Sequence, residues 1–251
     1  MNRERYLVPL EDATDPFKFG GKAAQLNLAL QHKLPVPKGF AISDSLLNQF
    51  VSGEISLESE LSQVLNELGP IAVRSSAVGE DSQHKSYAGQ YVSFLNADSI
   101  PSVEKAIIAV RKSAFSKRVK LYNERFGITD IPKMAVILQQ MVAAEVSGIL
   151  FTQDPVSKAD EIIIEASLGL GESIASGQVT PDFFRLSMAG QILERRAGDR
   201  TDPSICLNEV ELQKLHELAV RCEQVFGKEL DIEWAFDQQK LYLLQCRPIT
   251  C

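Results

Sequence analysis

The stretch DIEWAFDQQKLYLLQCRPIT, residues 231–250, sets two carboxylates, an amide and a guanidinium at alternate positions of two short strands. Strict alternation puts Asp231, Glu233, Ala235 and Asp237 on one side of the first strand and Ile232, Trp234 and Phe236 on the other. In the returning strand Leu241, Leu243, Gln245 and Arg247 alternate with Tyr242, Leu244 and Cys246. A loop over 238–240 predicts Glu233 opposite Gln245, Asp231 opposite Arg247 and Trp234 opposite Leu244. A carboxylate and an amide oxygen side by side, with an arginine one step along, suit joint binding of Mg²⁺ and phosphate. Magnesium takes oxygen ligands, commonly one or two carboxylates with phosphate oxygens, and the guanidinium fork meets the remaining phosphate charge. The plainer alternative is a solvated face with an Asp231–Arg247 ion pair worth about 0–1 kcal/mol.

Two other stretches have the makings of an anion site. In GGK, residues 20–22, glycines let the backbone approach an anion, a helix start supplies unpaired N–H groups, and Lys22 adds positive charge. The G-x-x-x-x-G-K-[ST] spacing of a Walker A loop is absent, and an ordinary turn with a solvent lysine is the alternative. In AVRSSA, residues 72–77, Arg74 leaves an apolar strand with two hydroxyls behind it, a costly placement unless an anion or an internal carboxylate meets it. Gly89 and Ser93, after the loop EDSQHKSYAGQ, could bring backbone and hydroxyl donors onto phosphates, or Gly89 only makes a turn. His32, His84 and His216 have no metal-ligand partner at i+3 or i+4; surface positions on helices are expected for His32 and His216, and for His84, in the loop after AVRSSA, an exposed position with a catalytic role as the alternative.

The elements that would position these groups can be read from period and punctuation. A helix follows GGK through Ala24, Leu26, Leu28 and Leu30 and stops before Pro35. GFAIS reads as a strand, followed by a helix capped by Ser43 or Asp44; SLESELSQVLNELG is a second amphipathic helix ended by Gly69. Residues 103–125 have helical periodicity ended by Gly127, and KMAVILQQMV is a buried strand that turns polar at Gln139 and Gln140. SGILFTQDP, EIIIEASLGLGE and DFFRLSM make the second half strand-rich, and the helix EVELQKLHELAVRCEQVFG delivers the chain to the closing hairpin. The pattern predicts an α+β chain in two lobes, about 1–130 and 131–251, with no flexible tether.

Composition limits the partners. The chain has 251 residues, 45% hydrophobic and 24% charged, enough for one large domain or two lobes with their own cores. A net charge of −7 and a pI near 5.1 argue against general affinity for nucleic acid or an anionic membrane, so an anionic ligand needs a local cluster. MNRERYLVPLEDATD lacks the apolar core of a secretory signal, and no run approaches the roughly 18 apolar residues of a membrane span. Cys206, Cys222, Cys246 and Cys251 include no C-x-x-C pair, and a cytosolic protein with reduced thiols is expected.

Taken in order, GGKAAQLNLAL…LPVPKGFAIS, AVRSSAVGEDSQHKSYAGQYVSFLN, VILQQMVAAEVSGILFTQDP, IIIEASLGLGESIASGQVTPDFF and DIEWAFDQQKLYLLQCRPIT resemble the nucleotide-binding domain of the pyruvate phosphate dikinase and phosphoenolpyruvate synthase family. Rifampicin phosphotransferases share that domain, and the resemblance covers essentially the whole chain. It implies an ATP-grasp fold with ATP between two lobes. It also implies a reaction that turns ATP into AMP, the β-phosphoryl passing to a histidine on a separate swivelling domain and then to an acceptor. Carried onto this sequence, the resemblance implies that Lys22 and Arg74 bind ATP phosphates, with Gly89 and Ser93 in the phosphate loop. The turn from Gln139 through Met141 to Val142 would hold adenine, Glu233 and Gln245 would bind Mg²⁺, and Arg247 would lie beside the phosphates. Glu145 and Glu165 match acidic positions near the nucleotide.

Two departures from the family matter. The connections between Phe40 and Arg74, and between Arg196 and Leu212, are shorter than is usual there. The threonine-serine-histidine phosphocarrier motif is not in the sequence, nor is a domain for pyruvate or rifampicin, so a phosphohistidine partner chain or a further domain is expected. Retained phosphotransfer is the reading favoured by the presence of every matched phosphate and metal residue. A regulatory module in which ATP is a signal, and an ATP-grasp ligase that yields ADP, are the alternatives.

Overall fold

The computed structural model describes residues 6–78, 91–125, 133–170, 180–199 and 205–249. Contacts divide the chain into two units, Met1–Leu28 with Pro37–Met141, and Ala29–Val36 with Val142–Cys251. The division falls later than the expected boundary near residue 130. The reason is β5 (Met134–Gln140), which is hydrogen-bonded between strands of the first unit and stays with it.

In the first unit β1 (Val8–Pro9), β2 (Gly39–Ile42), β3 (Ile71–Ala77), β4 (Ser93–Ala97) and β5 form one antiparallel sheet in the order β1-β2-β5-β3-β4. Every residue of β3 is buried, the polar Arg74, Ser75 and Ser76 included. Ile71, Val73 and Ala77 of β3 join Met134, Val136 and Leu138 of β5 in the apolar core. That core is completed by α2 (Asp44–Ser52), α3 (Glu58–Leu68) and α4 (Ile100–Ser113), which add Leu47, Leu61 and Ile107. The Ser43 hydroxyl accepts from the Leu46 N–H at the start of α2, the cap expected from sequence, and Gly69 ends α3 at φ 70°.

The helix expected over 103–125 is two helices, α4 and α5 (Lys117–Arg125). Ser116 makes the break, since its hydroxyl accepts from the Val119 N–H and its carbonyl from Lys120. Periodicity carries no trace of this, because a capping serine and a solvent serine look alike in a helical pattern.

In the second unit β6 (Val146–Phe151), β7 (Glu161–Leu168), β8 (Asp182–Ser187), β9 (Ile192–Arg196), β10 (Leu230–Asp237) and β11 (Lys240–Pro248) form an antiparallel sheet in the order β11-β10-β6-β7-β8-β9. Helix α6 (Glu209–Phe226) opens with a reciprocal capping box between Asn208 and Glu211 and packs Leu212, Leu215, Leu218, Ala219 and Cys222 onto one face. That face carries Leu150, Ile162, Ile164, Phe184, Ile232, Trp234 and Phe236. Gly148 is required here: a Cβ would overlap the Glu165 carbonyl oxygen and sit 2.7 Å from the Trp234 ring.

The α+β class expected from sequence is what the structure shows, one sheet with helices in each unit. Among the described residues no helix is long and apolar enough to cross a membrane. Between β6 and β7, Asp154 accepts from the N–H groups of Val156 and Ser157 and from the Ser157 hydroxyl. These bonds, the Ser157 hydroxyl foremost, hold its carboxyl below the usual carboxylate value.

Candidate functional site

In the first unit the alternation of β3 sends Ala72, Arg74 and Ser76 to the face opposite the apolar core. The same face carries Ala135, Ile137 and Gln139 of β5 and Ala41 of β2, and Ser93 of β4 is the direct cross-strand partner of Arg74. Arg74 Nη1 donates to Gln139 Oε1 at 2.9 Å, and Gln139 Nε2 donates to the Pro37 carbonyl at 3.3 Å. Both side chains are buried. Gln139 thus holds the guanidinium through its side chain, a role the sequence did not disclose.

GGK lies within α1 (Pro16–Gln31), which is kinked at Gly20, where φ is 80° and ψ 168°. One short turn precedes the kink and the continuous helix follows it, so Lys22 is in the first turn of the continuing helix, as expected. Lys22 is 7% exposed. The turn is held against the Arg74 face by Ser76, whose hydroxyl donates to the Phe19 carbonyl at 2.7 Å and accepts from the Ala23 N–H at 3.0 Å.

The Met141 N–H donates to the Pro70 carbonyl, which fixes the segment expected to hold adenine. Val142, 8% exposed, is the first residue of the second unit on this stretch. Gly89 and His84 lie outside the described residues.

In the second unit the hairpin of β10 and β11 pairs Asp231 with Arg247, Ile232 with Cys246 and Glu233 with Gln245, as the sequence predicted. Beyond Glu233 the prediction fails. The turn is Gln238–Gln239 alone, with Gln238 at φ 54°, and Trp234 pairs with Leu243 rather than Leu244. Leu244 is the extra residue of a bulge. Consequently Leu241 and Leu243 pack with the apolar core, not on the polar face. The shorter turn and the bulge offset each other, which is why the base of the hairpin has the register that a longer loop without a bulge would give.

Cross-strand pairing carries the polar face over the sheet. Gln245, Glu233, Ile149, Glu165 and Phe183 form one transverse row, and Arg247, Asp231, Phe151 and Ile163 form the next. Glu165 is therefore on the same face as Glu233, two strands or about 9.5 Å away. Arg247 donates to Asp231 Oδ2 from Nε at 2.9 Å and Nη2 at 2.6 Å. The ion pair of the plainer reading is thus present, with only 21% and 11% of the two side chains exposed. Glu145 precedes β6 and is exposed; its N–H donates to the Phe236 carbonyl, and its carbonyl accepts from the Gly169 N–H.

The donor set fits Mg²⁺. Glu233 and Gln245 offer a carboxylate and an amide oxygen at directly paired positions, hard ligands of the kind magnesium takes together with phosphate oxygens. Among the described residues no group of three or more His, Cys, Asp and Glu side chains is disposed to hold a metal alone. His32 is exposed beyond α1, while His216 on α6 is half-buried with its Nε2 3.1 Å from the Met188 carbonyl oxygen.

Residues 54–251 match the family model described as pyruvate phosphate dikinase, AMP/ATP-binding domain. The chain is 32% identical over 287 residues to the prodigiosin synthesizing transferase PigC of Serratia marcescens, covering 94% of this chain and 32% of that protein. It is 33% identical over 203 residues to a probable phosphoenolpyruvate synthase of Methanocaldococcus jannaschii, covering 72% of this chain and 17% of that protein. The chain thus spans about a third or less of the length of these curated relatives. Among solved structures, PH1788 from Pyrococcus horikoshii matches with a TM-score of 0.50 at 15% identity, over 94% of each chain, a likeness of fold alone.

Proposed function

As the chain belongs to the pyruvate phosphate dikinase AMP/ATP-binding domain family, we propose that it binds ATP with Mg²⁺ and passes the β-phosphoryl to a histidine on a separate domain or partner chain, the γ-phosphoryl going to water as orthophosphate and AMP remaining as product. The observation that carries this reading is the pairing of Glu233 with Gln245 beside Arg247 on one face of the second unit's sheet. An acid, an amide and an arginine there serve a triphosphate and its metal better than they serve packing. The two-sheet α+β organisation agrees with the ATP-grasp fold that the family resemblance implies.

Within this reading the residues of each unit have parts that can be stated unit by unit. In the first, Lys22 and Arg74 bind phosphate oxygens, with Ser93 beside Arg74, and Gln139 fixes the guanidinium that would otherwise sample several rotamers. In the second, Glu233 and Gln245 hold Mg²⁺, which supplies charge neutralisation at the phosphates when bound. Arg247, oriented by Asp231 through Nε and Nη2, lies beside the phosphates. Val142 and the backbone from Gln139 to Met141 accommodate adenine, and Glu145 and Glu165 are acidic residues near the nucleotide.

Calorimetric titration of the purified chain with ATP and with AMP, each with and without Mg²⁺, tests the binding. ATP affinity that rises with Mg²⁺ is the expected result; no heat with either nucleotide overturns it. Addition of a histidine-bearing acceptor domain then tests the chemistry. AMP should accumulate with phosphohistidine, whereas Mg²⁺-dependent ATP binding without AMP would assign a regulatory module.

A further inference from the structure

Ser76 is wholly buried and lies two residues from Arg74 on the same face of β3. Its hydroxyl bridges the two sides of the Gly20 kink, donating to the Phe19 carbonyl before it and accepting from the Ala23 N–H after it. The bridge spans the Gly-Gly-Lys stretch. Ala23 contributes one of the N–H groups that a helix start leaves without an intrahelical acceptor, and Ser76 satisfies it from β3. Gly20 in turn fits only as glycine: its φ is 80°, and a Cβ would overlap the Ser76 carbonyl oxygen. Side chain and backbone of one residue therefore determine how closely the turn approaches β3 and where along the strand it sits.

We propose that Ser76 is a positioning residue for phosphate binding: it sets the Gly20–Lys22 turn in register with Arg74, so that the ammonium of Lys22 and the guanidinium reach the same anionic group. Ser76 touches no ligand. This inference rests on the reading of Lys22 and Arg74 as phosphate ligands. Loss of the hydroxyl leaves a buried N–H and a buried carbonyl without that partner, and the turn relaxes to recover hydrogen bonds at the expense of the Lys22 position.

The test is a double-mutant cycle on the full chain, with Lys22→Ala, Ser76→Ala and both together, read by titration with Mg²⁺-ATP and with adenosine. Ser76→Ala should weaken ATP about tenfold and adenosine less than twofold, and the double variant should be no weaker for ATP than Lys22→Ala alone. Equal losses for ATP and adenosine would assign Ser76 to folding only, and multiplied losses in the double variant would separate it from Lys22; either overturns the proposal. Ser76→Cys keeps the volume with a weaker donor and should give the same selective loss for ATP if the alanine variant does not fold. If Lys22→Ala itself leaves the preference for ATP over adenosine unchanged, the phosphate reading of the turn fails and the proposal with it. If Lys22→Ala removes that preference and Ser76→Ala does not, only the positioning role fails.

Discussion

Arg247 donates from both Nε and Nη2 to a single oxygen of Asp231, its direct neighbour across the hairpin. The pair is mostly buried, so its loss should cost more than the roughly 1 kcal/mol of an exposed pair and less than the 3–5 kcal/mol of a fully buried one. Asp231→Ala is expected to lower unfolding free energy in urea by about 2 kcal/mol. The same variant should weaken Mg²⁺-ATP, because Arg247 loses its orientation. Unaltered ATP affinity in a destabilised variant would confine the pair to stability.

Glu233→Ala is expected to abolish the Mg²⁺ dependence of ATP binding while the melting temperature moves by no more than a few degrees, since Glu233 is only half-buried. Titration with and without Mg²⁺ reads the first, and thermal unfolding the second. Retained Mg²⁺ dependence would sink the metal assignment.

Gly20→Ala should destabilise the chain by about 1–3 kcal/mol from backbone strain, with the overlap on Ser76 in addition. Gly227 has a similar backbone, φ 90° and ψ −166°, but nothing within 4 Å of a built Cβ, so Gly227→Ala is the matched control and should cost only the strain. Urea midpoints for the two variants compare the effects directly. Equal shifts would mean that the approach to Ser76 adds nothing.

Acid should weaken the loop at Asp154. Its carboxyl is held below the usual 3.8 by bonds to Ser157 and Val156, so the contribution to stability is whole above that value and disappears as the pH falls through the lowered folded value. Asp154→Asn should therefore melt below the parent chain at pH 7, and the gap should close in acid. Exposure of the loop keeps the effect small. A gap that persists unchanged to low pH would trace it to something other than the carboxylate charge.

The two-residue period made much of this chain legible. It placed Glu233 with Gln245 and Asp231 with Arg247, and capping residues such as Ser43 marked a helix start correctly. It failed where one residue breaks the repeat without leaving a chemical mark. Gln238–Gln239 contains no glycine or asparagine to announce a tight turn, Leu244 looks like any strand leucine, and Ser116 caps a helix inside an otherwise periodic run. Contacts distant in sequence were out of reach for another reason. The Arg74–Gln139 bond spans 65 positions and the Ser76–Ala23 bond 53, and only the strand order brings these residues together. Alternation alone could have shown that Arg74 and Ser76 share a face, the one available hint of the serine's part.

Leu244 shifts the phase of the hairpin by half a period. Upstream of it Leu241 and Leu243 face the core; downstream Gln245 and Arg247 face the other way, although all four positions are odd-numbered. Excision of that one leucine would therefore leave a choice between two outcomes, each of which places the wrong chemistry on one surface. Either the tip holds its pairing and the amide and guanidinium turn into the hydrocarbon interior, or the base holds and two leucines turn out onto the polar side. The bulge lets one short ribbon present hydrocarbon at its tip and polar groups at its base.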